Sequence, residues 1–85
     1  MAYDYAREKP ALFTEQGQVD FLTIRDGAKE LIRKAGAVRA DKVMFGDSWF
    51  CMAALDRLVE LHELREITGD NVMGQHRVFV TGSKP

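Results

Sequence analysis

Cysteine, unbroken apolar runs and charge of one dominant sign are all scarce in this chain. A single cysteine, Cys51, excludes an internal disulfide and fits a reducing cytosol. No apolar stretch approaches the ~18 residues of a membrane span. The N-terminus MAYDYAREKP is polar and lacks the apolar core of a signal peptide. Twelve Lys and Arg against thirteen Asp and Glu give a net charge of −1. No long-range field therefore draws the whole chain to nucleic acid or to an anionic membrane. Catalytic signatures are missing as well: there is no phosphate-binding loop, no G-x-G-x-x-G and no G-x-S-x-G. Together these absences point to a cytoplasmic protein with no membrane attachment and no cofactor, and they speak against an enzyme.

What is present is ordinary globular material. The 85 residues are 46% apolar and 29% charged, enough for one domain. A chain this short buries only about 60–65% of the surface its unfolded form exposes, so it builds one modest core. Residues 1–18 stand apart as an arm: Pro10 and Gly17 interrupt them, yet Tyr3, Tyr5, Leu12 and Phe13 are apolar or aromatic. Two readings are open, a frayed tail or an arm that packs on a neighbouring subunit and makes a homodimer. Residues 19–82 form the domain proper, and 83–85 are a tail.

Within the domain, Phe21, Ile24, Ala28, Leu31 and Ala35 step by three and four residues, which predicts one face of a helix over 18–35, with Ile32 widening it. Gly36 follows where a helix commonly stops in the left-handed conformation. The rival reading makes 19–24 a strand and caps a shorter helix at Asp26. Residues 40–45, ADKVMF, predict a short helical turn with Val43, Met44 and Phe45 inward, ended by Gly46. Asp47 or Ser48 then caps a helix to about His62. On it Cys51, Met52, Leu55, Leu58, Val59 and His62 share one arc, with Ala54 and Leu61 beside them. Ala53, Asp56, Arg57 and Glu60 occupy the opposite arc, and Trp49 projects toward it. Residues 64–67 alternate as a half-buried strand does. Thr68 to Gln75 read as a loop, and His76 to Val80 as the return strand with Val78 and Val80 on one face.

Short helix, glycine, capping residue and longer helix follow the grammar of a helix-turn-helix. Residues 54–64, ALDRLVELHEL, resemble the end of the recognition helix in winged helix-turn-helix proteins, where such a pattern leads into a two-stranded wing. The resemblance implies an α/β (α+β) fold of three helices with a C-terminal β-hairpin wing at 64–80. It is generic, covers about residues 20–80, and speaks for fold more than function. One departure is His62, which stands where many relatives have glycine; a left-handed residue there costs His energy that Gly avoids, so a different helix end is expected.

The reactive side chains do not assemble into chemistry. Cys51 and His62 lie about 16 Å apart along one helix, against the ~3 Å a catalytic dyad needs. His62, Glu63, Glu66 and His76 lack the short paired spacing of a structural metal site. Trp49 and Phe50 are the informative pair: either they close the helix-turn-helix corner or they anchor a partner, since Trp is enriched among interface hot spots. The favoured expectation is a protein-binding module, a small regulatory adaptor or inhibitor of a bacterial or phage complex, that binds through Trp49, Phe50, Asp56, Arg57 and Glu60. The alternative is a DNA-binding regulator that uses Ser48, Arg57, Arg77, Arg39 and Lys42. Asp47, Asp56 and Glu60 would repel phosphates there.

Overall fold

The computed structural model describes residues 2–69, 72 and 74–82. The tail at 83–85 and part of the loop expected between the last two strands lie outside the described residues. Three α-helices run Tyr5–Glu8 (α1), Glu15–Ala35 (α2) and Ser48–Glu60 (α3). Three short strands run Val38–Arg39 (β1), Leu64–Glu66 (β2) and Val78–Thr81 (β3). The sheet is antiparallel in the order β1-β3-β2. The architecture is α+β, and no described helix is long and apolar enough to cross a membrane.

The long helix over 18–35 is present, so 19–24 is not a strand, and it starts earlier, at Glu15. The Thr14 hydroxyl accepts from the Gly17 N–H and donates to the Ala11 carbonyl, which supplies the cap that the first turn of any helix lacks. Gly36 closes the helix at φ 85°. Ile24, Ala28 and Ile32 are buried, whereas Ala35 is exposed, so the buried stripe turns toward Ile32 near the end.

The expected helical turn over 40–45 is a single 3₁₀ turn, Ala40–Lys42. Val43 points inward, but Phe45 is 45% exposed, contrary to the expectation from sequence. A 3₁₀ turn spans only three residues before the chain leaves it, so Phe45 falls on the outgoing segment. Asp47 is the cap of α3, accepting from the N–H groups of Trp49 and Phe50. At the far end His62 adopts φ 62° after all. The His62 N–H donates to the Val59 carbonyl and the Glu63 N–H to the Leu58 carbonyl, the paired bonds of a Schellman motif.

The largest difference from the sequence reading concerns residues 1–18. Those described, 2–18, are neither frayed nor reaching outward. Residues 5–13 form α1 and a 3₁₀ turn, Lys9–Phe13, that lie on the chain's own α3. Leu12 is buried at 3% exposure. Consequently Ala53, placed on the solvent arc by its angle, is fully buried. In β3, Phe79 is the side chain that enters the core, beside Val38 of β1 and Leu64 of β2, with Val78 and Val80 half-buried on either side. Successive side chains of a strand point to opposite faces, so with Phe79 in the core the face that Val78 and Val80 share is the other one.

Candidate functional site

Three surfaces are candidates for function, two expected from sequence and one found in the structure, and all are organised by α3. The first is its N-terminal end. Ser48 is exposed, while Trp49 and Phe50 are half-buried. Phe50 packs on the core. Trp49 meets the Arg7 guanidinium, 5.3 Å from its ring centroid, a cation–π contact with the N-terminal segment. The expected anchor is therefore already engaged within the chain.

The second surface is the polar arc of α3. The Tyr3 hydroxyl donates to Asp56 at 2.6 Å, the Tyr5 hydroxyl to Glu60 at 2.9 Å, and Lys9 to Glu60 at 3.2 Å. Burial first, then the bond to Glu60, pushes the Tyr5 hydroxyl up to about 12. Hydrogen bonds from Arg57, Tyr5 and Lys9 hold Glu60 down at about 2. Behind this arc Arg77 bridges α3 to the sheet, with Asp56 at 2.6 Å and Glu66 at 2.7 Å, and its own side chain is only 13% exposed. Such an arrangement sets one cation between two half-buried carboxylates and ties the start of β3 to α3. Arg77, proposed from sequence as a phosphate contact, is thus an internal tie. Arg39 forks onto Asp41, and Arg57 pairs with Glu60 while lying over the Phe13 ring. Of the residues considered for nucleic acid, Ser48 and Lys42 face solvent without a described ion pair.

The third surface was not foreseen. Phe13 at 53%, Leu22 at 44% and Leu61 at 41% exposure converge on a groove of about 220 Å³ floored by Leu12 and Phe21. Val19, at 59%, stands one turn before Leu22 on the crest of α2. A monomer's largest cluster of exposed apolar side chains is often functional. The groove exists because α2, the 3₁₀ turn and the C-terminal end of α3 meet there without filling the corner. A signal was present in the sequence: Phe13, Val19 and Leu22 all lie outside the helical stripes that account for the core.

Cys51 is buried; its thiol donates to the Phe45 carbonyl and accepts from the Phe45 N–H. Burial pushes this thiol up, away from the thiolate a nucleophile needs. Among the described residues no three His, Cys, Asp or Glu side chains gather as a metal would require. Compared with known proteins, the chain matches no family model, no curated protein and no solved structure.

Proposed function

We propose that this chain is a non-catalytic binding module of winged-helix type that works by gripping protein. The observation that carries the reading is the exposed apolar groove of Phe13, Leu22 and Leu61. The site differs from the one expected at Trp49, Phe50, Asp56, Arg57 and Glu60, most of whose polar groups are bonded to the N-terminal segment or to Arg77. The winged-helix assignment is supported by the order helix, short strand, turn, helix, hairpin, with β1 joining the hairpin as a third strand. The left-handed His62 at the entry to the hairpin also supports it. A regulatory adaptor or inhibitor of a larger bacterial or phage complex, acting in the cytoplasm, suits such a module.

DNA binding is the second reading, favoured by the element order alone. In a DNA-bound winged helix the exposed face of the second helix enters the major groove. Here that face of α3 is covered by residues 3–13, and Ala53 beneath them is fully buried. Base readout would require the covering segment to leave first. The experiment is capture from a lysate of the source cells, with and without nuclease, using the wild type and Leu22→Glu. Protein that resists nuclease and is lost with Leu22→Glu supports the module. Nuclease-sensitive DNA, retained by Leu22→Glu, replaces it with the regulator.

A further inference from the structure

The crest of α2 carries a pattern that is complementary to itself. Its outward stripe reads Glu15, Val19, Leu22, Asp26, Lys29, at steps of four and three, all exposed. Val19 is the most exposed of the large apolar side chains, and Leu22 forms one wall of the groove described above. An acid therefore opens the stripe, two apolar residues follow, and a base stands seven residues beyond Leu22.

We propose that this surface is covered by a second copy of the chain, with the two α2 helices antiparallel and Leu22 at the twofold axis. The inference rests on reading the groove as a protein-binding surface, and it names the first partner of that surface. In this register Glu15 of each copy faces Lys29 of the other, so the charge pair is made twice. Each Leu22 leans on the other copy's wall of Phe13 and Leu61. The alternatives are worse. A parallel pairing sets Glu15 on Glu15 and Lys29 on Lys29. Sliding one helix by a turn in one direction pairs Val19 with Leu22 but brings Glu15 onto Asp26 twice, and in the other it sets Leu22 on Asp26. In the favoured register Val19 lies opposite Arg25, so charge and not apolar matching selects it. Lys29 already donates to Glu63 of its own chain, but an ammonium has three donors, so the second pairing needs no loss of the first.

The area suits a weak contact. The exposed parts of Phe13, Val19, Leu22 and Leu61 come to roughly 350 Å² of apolar surface, the size at which a monomer's largest patch is often functional. Two copies contribute roughly 700 Å², below the ~1,200 Å² of stable specific interfaces and in the range of weak, transient ones. A reversible dimer is the expected outcome, with exchange of subunits at low concentration.

The test uses the full chain in sedimentation velocity over a concentration series, together with two cysteine variants. Wild type should pass from one to two chains with concentration, and Leu22→Glu should raise the dissociation constant by about tenfold or more. Under mild oxidation Leu22→Cys should cross-link into a dimer, because the two side chains meet at the axis. Glu15→Cys should not, since seven residues on each side of the axis put the two positions about 21 Å apart. Cys51 is fully buried and does not compete. A single-chain mass at every concentration, or equal cross-linking by both variants, overturns the dimer. If that happens while Leu22→Glu still abolishes lysate capture, the protein-binding reading stands and only its self-association falls. If the dimer forms but capture is indifferent to Leu22→Glu, the dimer stands and the groove is not where the other protein binds.

Discussion

At the scale of single residues, two positions are set by contacts that leave no room for choice. Gly17 sits on the buried side of the first turn of α2, where a Cβ would overlap the Ala11 carbonyl oxygen. The sequence presents this glycine as an interruption, yet its role is to let the N-terminal segment cross the helix at close range. Gly17→Ala should therefore destabilise by about 1–3 kcal/mol, the range for forced overpacking, measured by chemical denaturation. His62 shows the opposite case. Its left-handed backbone costs a non-glycine residue about 1–2 kcal/mol, and its side chain is exposed. Glycine would remove that strain while adding about 0.5–1 kcal/mol of unfolded-state entropy. His62→Gly should thus stabilise the protein by about 0.5–1 kcal/mol, and a loss of stability would show that the imidazole makes a contact worth more than the strain. Arg77 belongs here too. Replacing it by Met leaves Asp56 and Glu66, with side chains 20% and 25% exposed, facing each other without their shared cation. A cost of about 2–4 kcal/mol is expected, since breaking a buried pair by removing one partner is more damaging than never having made it.

At the scale of elements, the two long helices were legible, and α1 and the covers were not. Periodicity placed α2 and α3 because each buries a stripe against the other, and that pattern is written in adjacent turns. Ile24, Ala28, Leu55 and Leu58 are buried where the stripes put them. Leu55→Ala should cost about 2–5 kcal/mol accordingly. Ala53 was misplaced because an angle on a helical wheel says which residues share a face, and nothing about what lands on it. What lands there comes from residues 3–13, some forty residues away in sequence, and the bonds from Tyr3 to Asp56 and from Tyr5 to Glu60 have no local signature. The two-residue strand β1 was missed for a similar reason. Val38 and Arg39 are too few to show alternation, and they are extended only because β3 pairs with them. Phe79 was overlooked because a valine on each side offers an equally good strand face. The groove of Phe13, Leu22 and Leu61 was legible only by subtraction, as apolar residues that no stripe uses. Deleting residues 1–13 tests the element-scale claim. It removes the cover of Ala53 and the buried Leu12, worth about 1.5–3 kcal/mol by itself, so the truncated chain should melt earlier and not merely lose a tail.

At the scale of the whole molecule, the N-terminal segment is held to α3 by groups that titrate at opposite ends of the pH range. Glu60 accepts from Arg57, Tyr5 and Lys9, and its folded value of about 2 lies below its ordinary 4.5. The stability it contributes is fully present above 4.5 and is lost as pH falls toward 2. Tyr5 is raised from 10.0 to about 12, so its contribution is fully present below 10 and is lost as pH rises through 12. Tyr3, raised by burial and then by its bond to Asp56, acts in the same direction. Between 4.5 and 10 the segment should stay closed over α3, and beyond either limit its hold should weaken. The chain carries its own reporter: its one tryptophan, Trp49, stacks beneath Arg7 of this segment. Trp49 emission should shift to the red, and iodide should quench it more, from pH 10 to 12 and again from 4.5 to 2, with far-ultraviolet circular dichroism showing whether α2 and α3 persist. Tyr5→Phe keeps the contacts of Lys9 and Arg57 with Glu60 but has no proton to lose, so it should flatten part of the alkaline change and leave most of the acid change in place. Tyrosinate absorbance supplies the independent check. If the two tyrosines of the chain titrate near 10 while Trp49 emission stays constant, the hydroxyls are not bonded to α3. Residues 3–13 would then not form the cover that hides Ala53 and closes α3 to nucleic acid.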